Sequence, residues 1–233
     1  IKFYQASSSE LFGNSVTPYQ NEETPFHPQS PYAIAKLYGY WTTKLYRDGY
    51  GMFATNGILF NHESPLRGLE FVTRKISNDV AKIKLGLSKK INLGNLDGER
   101  DWGYAPEYVE GMWKLLQQKT SGDYVLSTDE THSVREFAEL AFAYVDLKWD
   151  KHVKIDKKLY RLLEVNSLKG DSSKTRKKIG WKPKIKFKNL VEIMVDADLD
   201  RWSKWIKGEH FPWDANNYIN EANLQFRKFY KTQ

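Results

Sequence analysis

The sequence predicts an α/β fold, namely the C-terminal half of a doubly wound parallel sheet with a smaller α/β domain. A short apolar strand over residues 1–6, a long helix over residues 31–48 and a buried strand over residues 52–60 follow in order, which is typical of a β-α-β unit with parallel strands. The 233 residues suffice for one such unit and a smaller appendage. No G-x-G-x-x-G turn follows any strand, so the first half of the sheet is not among these residues.

Composition excludes several classes of protein. A hydrophobic content of 40%, an aromatic content of 15% and a mean hydropathy of −0.65 indicate a globular chain that can bury a core. No apolar run approaches the roughly 18 residues of a membrane span, and we expect a cytoplasmic protein. The absence of cysteine excludes disulfides, thiolate metal sites and a cysteine nucleophile, and we expect no metal. Because the chain begins at Ile1 without a methionine or signal-peptide pattern, we expect a fragment or a processed product.

The net charge of +7 is unevenly distributed. Residues 146–190 carry 15 basic and 5 acidic side chains, a balance of +10, whereas the rest of the chain has −3. A basic face can bind a phosphorylated small molecule, an anionic surface or nucleic acid, although most such lysines are simply solvated. No nucleic-acid-reading motif accompanies the charge, so we expect no nucleic-acid partner.

The other elements are predicted from capping residues and apolar spacing. Ser30 and Pro31 suit the start of the first helix, and Gly49 and Gly51 end it. Residues 61–65 are predicted as a turn. Ser133 and Glu136 form the spacing of a capping box. The remaining predicted elements are helices over residues 72–83, 108–116, 133–144 and 190–206, and strands over residues 91–93 and 124–126.

Tyr32 and Lys36 stand four residues apart near the start of the long helix and therefore share one face. An ammonium beside a phenol favours the phenolate, which allows proton exchange with a substrate hydroxyl. The pair alone is a weak signal, because a surface tyrosine beside a solvated lysine is common. The triple serine of residues 7–9, which ends the first strand upstream, strengthens the indication of a functional site. Together they indicate an oxidoreductase site.

Several runs carry a resemblance to a known family. They are FYQASSSELFG at residues 3–13, SPYAIAK at residues 30–36, NGILFNHESP at residues 56–65, FVTRKI at residues 71–76, LGNLD at residues 93–97 and RDWG at residues 100–103. The first two resemble extended short-chain dehydrogenase/reductases, and the others narrow the resemblance to GDP-mannose 4,6-dehydratases. It covers about residues 1–200.

The resemblance implies a Rossmann-type sheet with a nucleotide-sugar-binding domain and NADP as the cofactor. The implied reaction converts GDP-mannose to GDP-4-keto-6-deoxymannose, a step toward GDP-fucose, by oxidation at C4, loss of water across C5 and C6, and return of the hydride to C6. Residues 1–66 are expected to form the second half of the cofactor domain. Residues 67–200 are expected to form mainly the substrate domain, with some elements returning to the first sheet, and residues 201–233 an aromatic extension. Homo-oligomers are usual in the family.

The resemblance also assigns residues. Ser8, Glu10, Tyr32 and Lys36 are implied as catalytic, with Ser8 at the position of a family threonine and Glu10 removing the C5 proton. The presence of Glu10 is thereby the feature that distinguishes a dehydratase from an epimerase. The alternative interpretation of Glu10 is a solvated carboxylate at the end of a strand. The implied cofactor contacts are Tyr32, Lys36, His62 and Arg67. The implied substrate contacts are Asn61, Lys75, Arg100, Arg161 and Glu164, and for each arginine a surface ion pair is the alternative.

Three departures from the family pattern leave alternatives open. The glycine-rich half is missing, so another chain or further sequence would have to supply it. The segment between Val145 and Arg161 is shorter than usual, which puts sugar or base recognition in doubt. The aromatic tail suits either a docking surface or packing onto its own domain. The alternatives are an epimerase or dehydratase for another nucleotide-sugar, and a catalytically silent subunit of a larger assembly.

Overall fold

The computed structural model describes residues 1–160, 165 and 167–209. Arg161, Glu164 and most of the predicted aromatic extension, with Phe211 and Trp213, lie outside the described residues. The strands are β1 (Phe3–Ser8), β2 (Ala54–Leu59), β3 (Asn61–Glu63), β4 (Ile91–Leu93), β5 (Glu99–Arg100), β6 (Trp102–Tyr104), β7 (Asp123–Leu126), β8 (His132–Ser133), β9 (Val153–Ile155) and β10 (Ser167–Leu168). The α-helices are α1 (Pro31–Tyr50), α2 (Val72–Lys84), α3 (Ala105–Leu116), α4 (Val134–Tyr144), α5 (Ser173–Ile179) and α6 (Phe187–Ile206).

The first sheet confirms the predicted β-α-β unit. Its strand order is β1-β2-β7, and both pairings are parallel. Every residue of β2 is buried, as expected for the central strand of a sheet covered on both faces. Helix α1 joins β1 to β2, and α3 packs against the same two strands. The carboxyl ends of β1 and β2 therefore lie side by side, with Ser8 opposite Leu59.

Helix α1 begins where the sequence predicts and ends two residues later. The Ser30 hydroxyl accepts the backbone N–H of Ala33 at 3.1 Å, and Pro31 occupies the first turn. The helix continues through Gly49 and ends when Gly51 adopts the left-handed conformation with φ 63°. Glycine reaches that conformation without a side-chain clash, so the second glycine is the one that ends the helix.

Residues 61–63 correct one prediction. They form β3, which pairs in parallel with β6, rather than part of the predicted turn. His62 lies opposite Gly103 in this pairing. The pairing could not be predicted, because the partner strand is distant in sequence and each strand has only three residues. The polar residues around Pro65 are typical of a turn.

The second region is built around α2, α4 and α6, whose apolar faces enclose one core with β4. Trp102 lies in this core and stacks on Phe187 with ring centroids 5.9 Å apart. Strand β4 pairs with β9, and a small sheet has the order β10-β5-β8. The capping box predicted at the start of α4 is present. Among the described residues, no helix combines the length and apolar character needed to cross a bilayer.

Candidate active site

Two adjoining cavities lie at the carboxyl edge of the first sheet. The larger, about 530 Å³, is called here the tyrosine cavity and includes seven predicted site residues in its lining: Ser8, Glu10, Tyr32, Lys36, Asn61, His62 and Arg67. The smaller, about 290 Å³, is called the arginine cavity and includes two others: Lys75 and Arg100. Four residues line both cavities: Glu10, Asn61, Arg67 and Phe71. The structure thus brings together all nine predicted site residues that it describes.

Strand β1 presents Ser8 and Glu10 through a single turn of 3-10 helix over residues 9–11. The Ser8 hydroxyl accepts the backbone N–H of Glu10 at 3.2 Å, which caps this turn. Leu11 is fully buried and anchors the end of the turn in the core. The backbone of Glu10 is thus fixed on both sides, and Glu10 lines both cavities.

Helix α1 presents Tyr32 and Lys36 from its first two turns. The Lys36 ammonium donates to the carbonyl of Ala6 at 2.8 Å, and it lies 5.7 Å from the centre of the Tyr32 ring. The helix is thereby tied to the end of β1, and a positive charge lies near the phenol. Tyr32 is 55% exposed, so its ring is accessible to a ligand in the cavity.

His62 is held in one protonation state and one tautomer. Its Nδ1 lies 2.8 Å from the carbonyl oxygen of Phe60, and because a carbonyl only accepts, Nδ1 carries the hydrogen. Burial lowers the pKa of His62, and the charge of Arg67 lowers it further, whereas the contact with the Phe60 carbonyl raises it. The imidazole is therefore neutral at neutral pH, with Nε2 as an acceptor. Its ring stacks on Tyr108, with centroids 5.1 Å apart and planes inclined by 16°.

The arginine cavity contains two cations whose side chains are anchored. Lys75 donates to the carbonyl of Asn92 at 2.5 Å, and burial lowers its pKa while the charges of Asp79 and Asp156 raise it. Arg100 donates to the carbonyl of Val165 at 2.8 Å. These contacts fix positive charge beside the cavity, an arrangement suited to an anionic ligand such as a diphosphate.

The shortened segment before Arg161 reaches the arginine cavity. Strand β9 pairs with β4, and the backbone N–H of Asp156 donates to the carbonyl of Leu93 at 2.7 Å. Leu159 then lines the cavity. A Cβ built on Gly94 would approach the carbonyl oxygen of Leu159 to 3.0 Å, so glycine at residue 94 permits this close approach.

Glu63, Phe71 and Trp102 are among the lining residues that sequence reasoning missed. Glu63 and Phe71 fall within runs that carry the family resemblance, and Trp102 follows Arg100 in another, so position within a motif was the available signal. Their patterns are those of ordinary core or loop residues. In residues 1–160, 165 and 167–209, no three His, Cys, Asp or Glu side chains form a group that could hold a metal ion.

Comparison with known proteins places this geometry in a family. The family model described as GDP-mannose 4,6 dehydratase matches residues 1–194. GDP-mannose 4,6 dehydratase 1 of Arabidopsis thaliana is 56% identical over 200 residues, covering 86% of this chain and 55% of that protein. The GDP-mannose 4,6 dehydratase of Homo sapiens is 49% identical over 217 residues, covering 86% and 58%. The chain thus spans little more than half the length of these relatives.

Solved structures share the fold at lower sequence identity. RMD from Pseudomonas aeruginosa, complexed with NADPH, has a TM-score of 0.79 and 23% identity, covering 86% of this chain and 67% of that one. The dTDP-glucose 4,6-dehydratase of Bacillus anthracis, in complex with NAD, has a TM-score of 0.76 and 20% identity, covering 88% and 63%.

The parallel sheet and the cavities at its carboxyl edge define a Rossmann-type α/β protein of the fold shared by short-chain dehydratases and epimerases. Within that class, the family model covers more than half of the residues. The chain belongs to the GDP-mannose 4,6 dehydratase family.

Proposed function

We propose that the protein is a GDP-mannose 4,6-dehydratase, a lyase that forms GDP-4-keto-6-deoxymannose on the way to GDP-fucose. One observation carries the proposal: Ser8, Glu10, Tyr32 and Lys36 line one cavity, and Glu10 also lines the neighbouring cavity with Asn61, Lys75 and Arg100. A carboxylate beside the tyrosine is what this reaction needs and a 4-epimerase does not, because only the dehydratase breaks the C5–H bond.

In this proposal each catalytic side chain has one task. The Tyr32 hydroxyl exchanges a proton with the C4 hydroxyl of the hexose, and Lys36 holds a positive charge 5.7 Å from the centre of the Tyr32 ring. Ser8 hydrogen-bonds the same hydroxyl of the sugar. Glu10 removes the C5 proton and protonates the C6 oxygen as water leaves, so it acts first as a base and then as an acid. C5 then takes up a proton from solvent, which balances the proton that Tyr32 accepted from the C4 hydroxyl.

We propose NADP as the cofactor, and the residues of the tyrosine cavity fit its nicotinamide end. Lys36 holds the ribose, Arg67 supplies a second cation, and His62 offers Nε2 as an acceptor at the cavity wall. When bound, the cofactor supplies a hydride acceptor and donor. The Pseudomonas structure contains NADPH and the Bacillus structure NAD, so the choice of NADP is tested by comparing the retention of the two nucleotides.

In the arginine cavity we assign the diphosphate and sugar contacts to Arg100, Lys75 and Asn61, with Arg161 and Glu164 as further contacts outside the described residues. A guanidinium fork suits phosphate oxygens, and the anchored Lys75 adds a point charge. We further propose residues 1–66 as the second half of the cofactor domain and residues 67–200 as mainly the substrate domain.

The proposal is tested by incubating the complete holoenzyme, with the glycine-rich half of the cofactor domain present, with GDP-mannose in D2O. We expect a 4-keto-6-deoxy product that carries deuterium at C5. The Glu10→Gln variant should lose about 10²- to 10⁴-fold in kcat, the usual contribution of a general base, and should lose the exchange at C5 as well. Glu110→Gln, which removes an exposed carboxylate paired with Lys114, is the matched control and should keep full activity.

Two results would contradict the proposed function. Turnover of a UDP- or dTDP-sugar without turnover of GDP-mannose would assign the chain to another nucleotide-sugar. Unchanged exchange at C5 in Glu10→Gln would remove the carboxylate from the reaction.

We propose that a second copy of this chain is a partner of the protein. Support comes from Ile34, Tyr38, Trp41 and Leu45, which are 58%, 76%, 53% and 62% exposed. Their spacing of four, three and four residues places them on one face of α1. A stripe of this kind along a 20-residue helix is self-complementary and can pair with its own copy across a two-fold axis.

A further inference from the structure

Arg67 lies at the junction of the two cavities, on the loop of residues 64–71 between β3 and α2. Its guanidinium carbon is 3.6 Å from the centre of the Phe71 ring, and its Nε is 3.2 Å from Oε2 of Glu63. Among the described residues, this buried Nε has no aligned hydrogen-bond acceptor, so the Glu63 carboxylate is the charge that faces it. The direction of the Arg67 side chain is thus set by one ring and one carboxylate.

Glu63 is a buried carboxylate that forms part of the cavity wall. It is 1% exposed, and its Oε2 accepts the Thr73 hydroxyl at 2.6 Å. Burial raises the pKa of Glu63, while the charge of Arg67 and the hydrogen bond from Thr73 lower it. A buried carboxylate is costly unless it is paired, and the contacts that compensate Glu63 are Thr73 and Arg67.

The backbone of the same loop is held from the other side by Arg74. This guanidinium is 3% exposed, and its Nη1 donates to the carbonyls of Pro65 and Arg67 at 2.8 and 2.9 Å. Its other nitrogens bind the fully buried Asp198 of α6 at 2.8 to 3.1 Å. Because Asp198 also accepts from Ser77, α6 fixes Arg74 rigidly under the loop.

We propose that Glu63, with Thr73 behind it and Arg74 beneath the loop, is a positioning residue that directs the Arg67 guanidinium into the junction of the two cavities. The inference rests on the proposed function in one respect, the contact between Arg67 and the bound cofactor. Glu63 itself needs no contact with either ligand. Its charge pre-orders Arg67, and a pre-ordered cation binds a ligand without the entropic cost of being fixed on binding.

The first experiment reads the position of Arg67 without any ligand. The ¹⁵N NMR signal of the Arg67 Nε–H, assigned by its loss in Arg67→Lys, should exchange slowly with water because the atom is buried and faces a carboxylate. In Glu63→Gln, which keeps the shape and the partner for Thr73, exchange should be at least about tenfold faster. Glu110→Gln is the matched control and should leave the signal unchanged. Equal exchange in wild type and Glu63→Gln would overturn the proposal, whatever the activity.

The second experiment measures the effect of this positioning on cofactor affinity and on kcat. In the complete holoenzyme, Glu63→Gln should raise the dissociation constant of the cofactor about tenfold, which is the typical effect of losing a residue that supports a ligand contact. The kcat should stay within about threefold of wild type. Thr73→Val should act in the same direction, and Thr73→Ser, which restores the hydroxyl, should recover wild-type affinity. A purely structural role would lower Tm in Thr73→Val without this split between binding and kcat.

The two experiments separate the failure of the inference from the failure of the proposed function. Equal exchange in wild type and Glu63→Gln, in a holoenzyme that converts GDP-mannose, would overturn the inference and leave the proposed function intact. A wild-type holoenzyme without dehydratase activity would refute the proposed function, and the NMR comparison would still decide whether Glu63 positions Arg67.

Discussion

Asp101 follows the cavity residue Arg100 directly and is fully buried. Its carboxyl accepts four hydrogen bonds: from the N–H and hydroxyl of Thr128 at 2.8 and 2.7 Å, from the N–H of Asp129 at 2.9 Å and from the N–H of Gly170 at 3.3 Å. Burial raises the pKa of Asp101 to about 7, although these hydrogen bonds lower it. Asp101 thus ties the backbone between β5 and β6 to residues 128–129 and to Gly170, and the raised pKa places its titration near neutral pH.

This titration predicts a pH dependence of stability. In the unfolded chain the pKa of Asp101 returns to about 3.8, so between about pH 4 and pH 7 the folded protein binds the extra proton. The contribution of this group to the free energy of unfolding should therefore rise by about 2–3 kcal/mol as the pH falls from 8 to 5. Urea unfolding of wild type and Asp101→Asn at the two pH values measures it. The variant should lack this increment, and the exposed Asp97→Asn should keep it; equal pH dependence in all three proteins would contradict the assignment.

At the scale of single elements, the capping box of α4 stabilises the start of the helix, and its contribution to the free energy of unfolding can be measured. The Ser133 hydroxyl accepts the N–H of Glu136 at 3.1 Å, and the Glu136 carboxylate accepts the N–H of Ser133 at 2.8 Å. Ser133→Ala should lower the free energy of unfolding by about 1 kcal/mol, because a helix N–H loses its acceptor. Ser133→Asp, which supplies another capping oxygen, should stay within a few tenths of a kcal/mol of wild type. Chemical denaturation checks both, and equal losses in the two variants would show that the cap is not the cause.

Elements with local signals were predictable from the sequence, and elements that depend on distant partners were not. Ser30 with Pro31 marked the start of α1, and the apolar runs marked β1, β2, β4 and β7. Strands β5, β8 and β10 have two residues each and exist only through pairing with one another. Helix α5 has seven residues, four of them lysine or arginine, so it lacks the apolar spacing that predicts a helix.

The same distinction applies to the site. Motif positions led to the nine predicted residues that line the two cavities. They did not single out Glu63 within its motif, because its importance comes from the contacts with Thr73 and Arg67 in three dimensions. The roles given to all these residues stay predictions until substrate turnover is measured.

At the scale of the whole molecule, the exposed stripe of α1 predicts self-association. Replacing both Tyr38 and Leu45 by lysine places two charges in the proposed contact and should convert a dimer or larger assembly to a monomer. Leu87→Lys, at an apolar residue that is 41% exposed and distant from α1, is the control and should keep the wild-type mass. Light scattering after size-exclusion chromatography gives the masses. A double variant with the mass of the wild-type assembly would exclude this face as the contact between copies.

The stacking of His62 on Tyr108 has a consequence for the effect of a substitution at residue 103. Tyr108 is fully buried, and the backbone of Gly103 passes so close that a Cβ at residue 103 would come within 2.3 Å of the phenol ring. The ring thus packs against both the imidazole of His62 and the backbone of Gly103, two residues that are paired between β3 and β6. A methyl group added at residue 103 would overlap the phenol ring and force it to move, and because His62 stacks on that ring, the substitution would disturb the imidazole at the cavity wall.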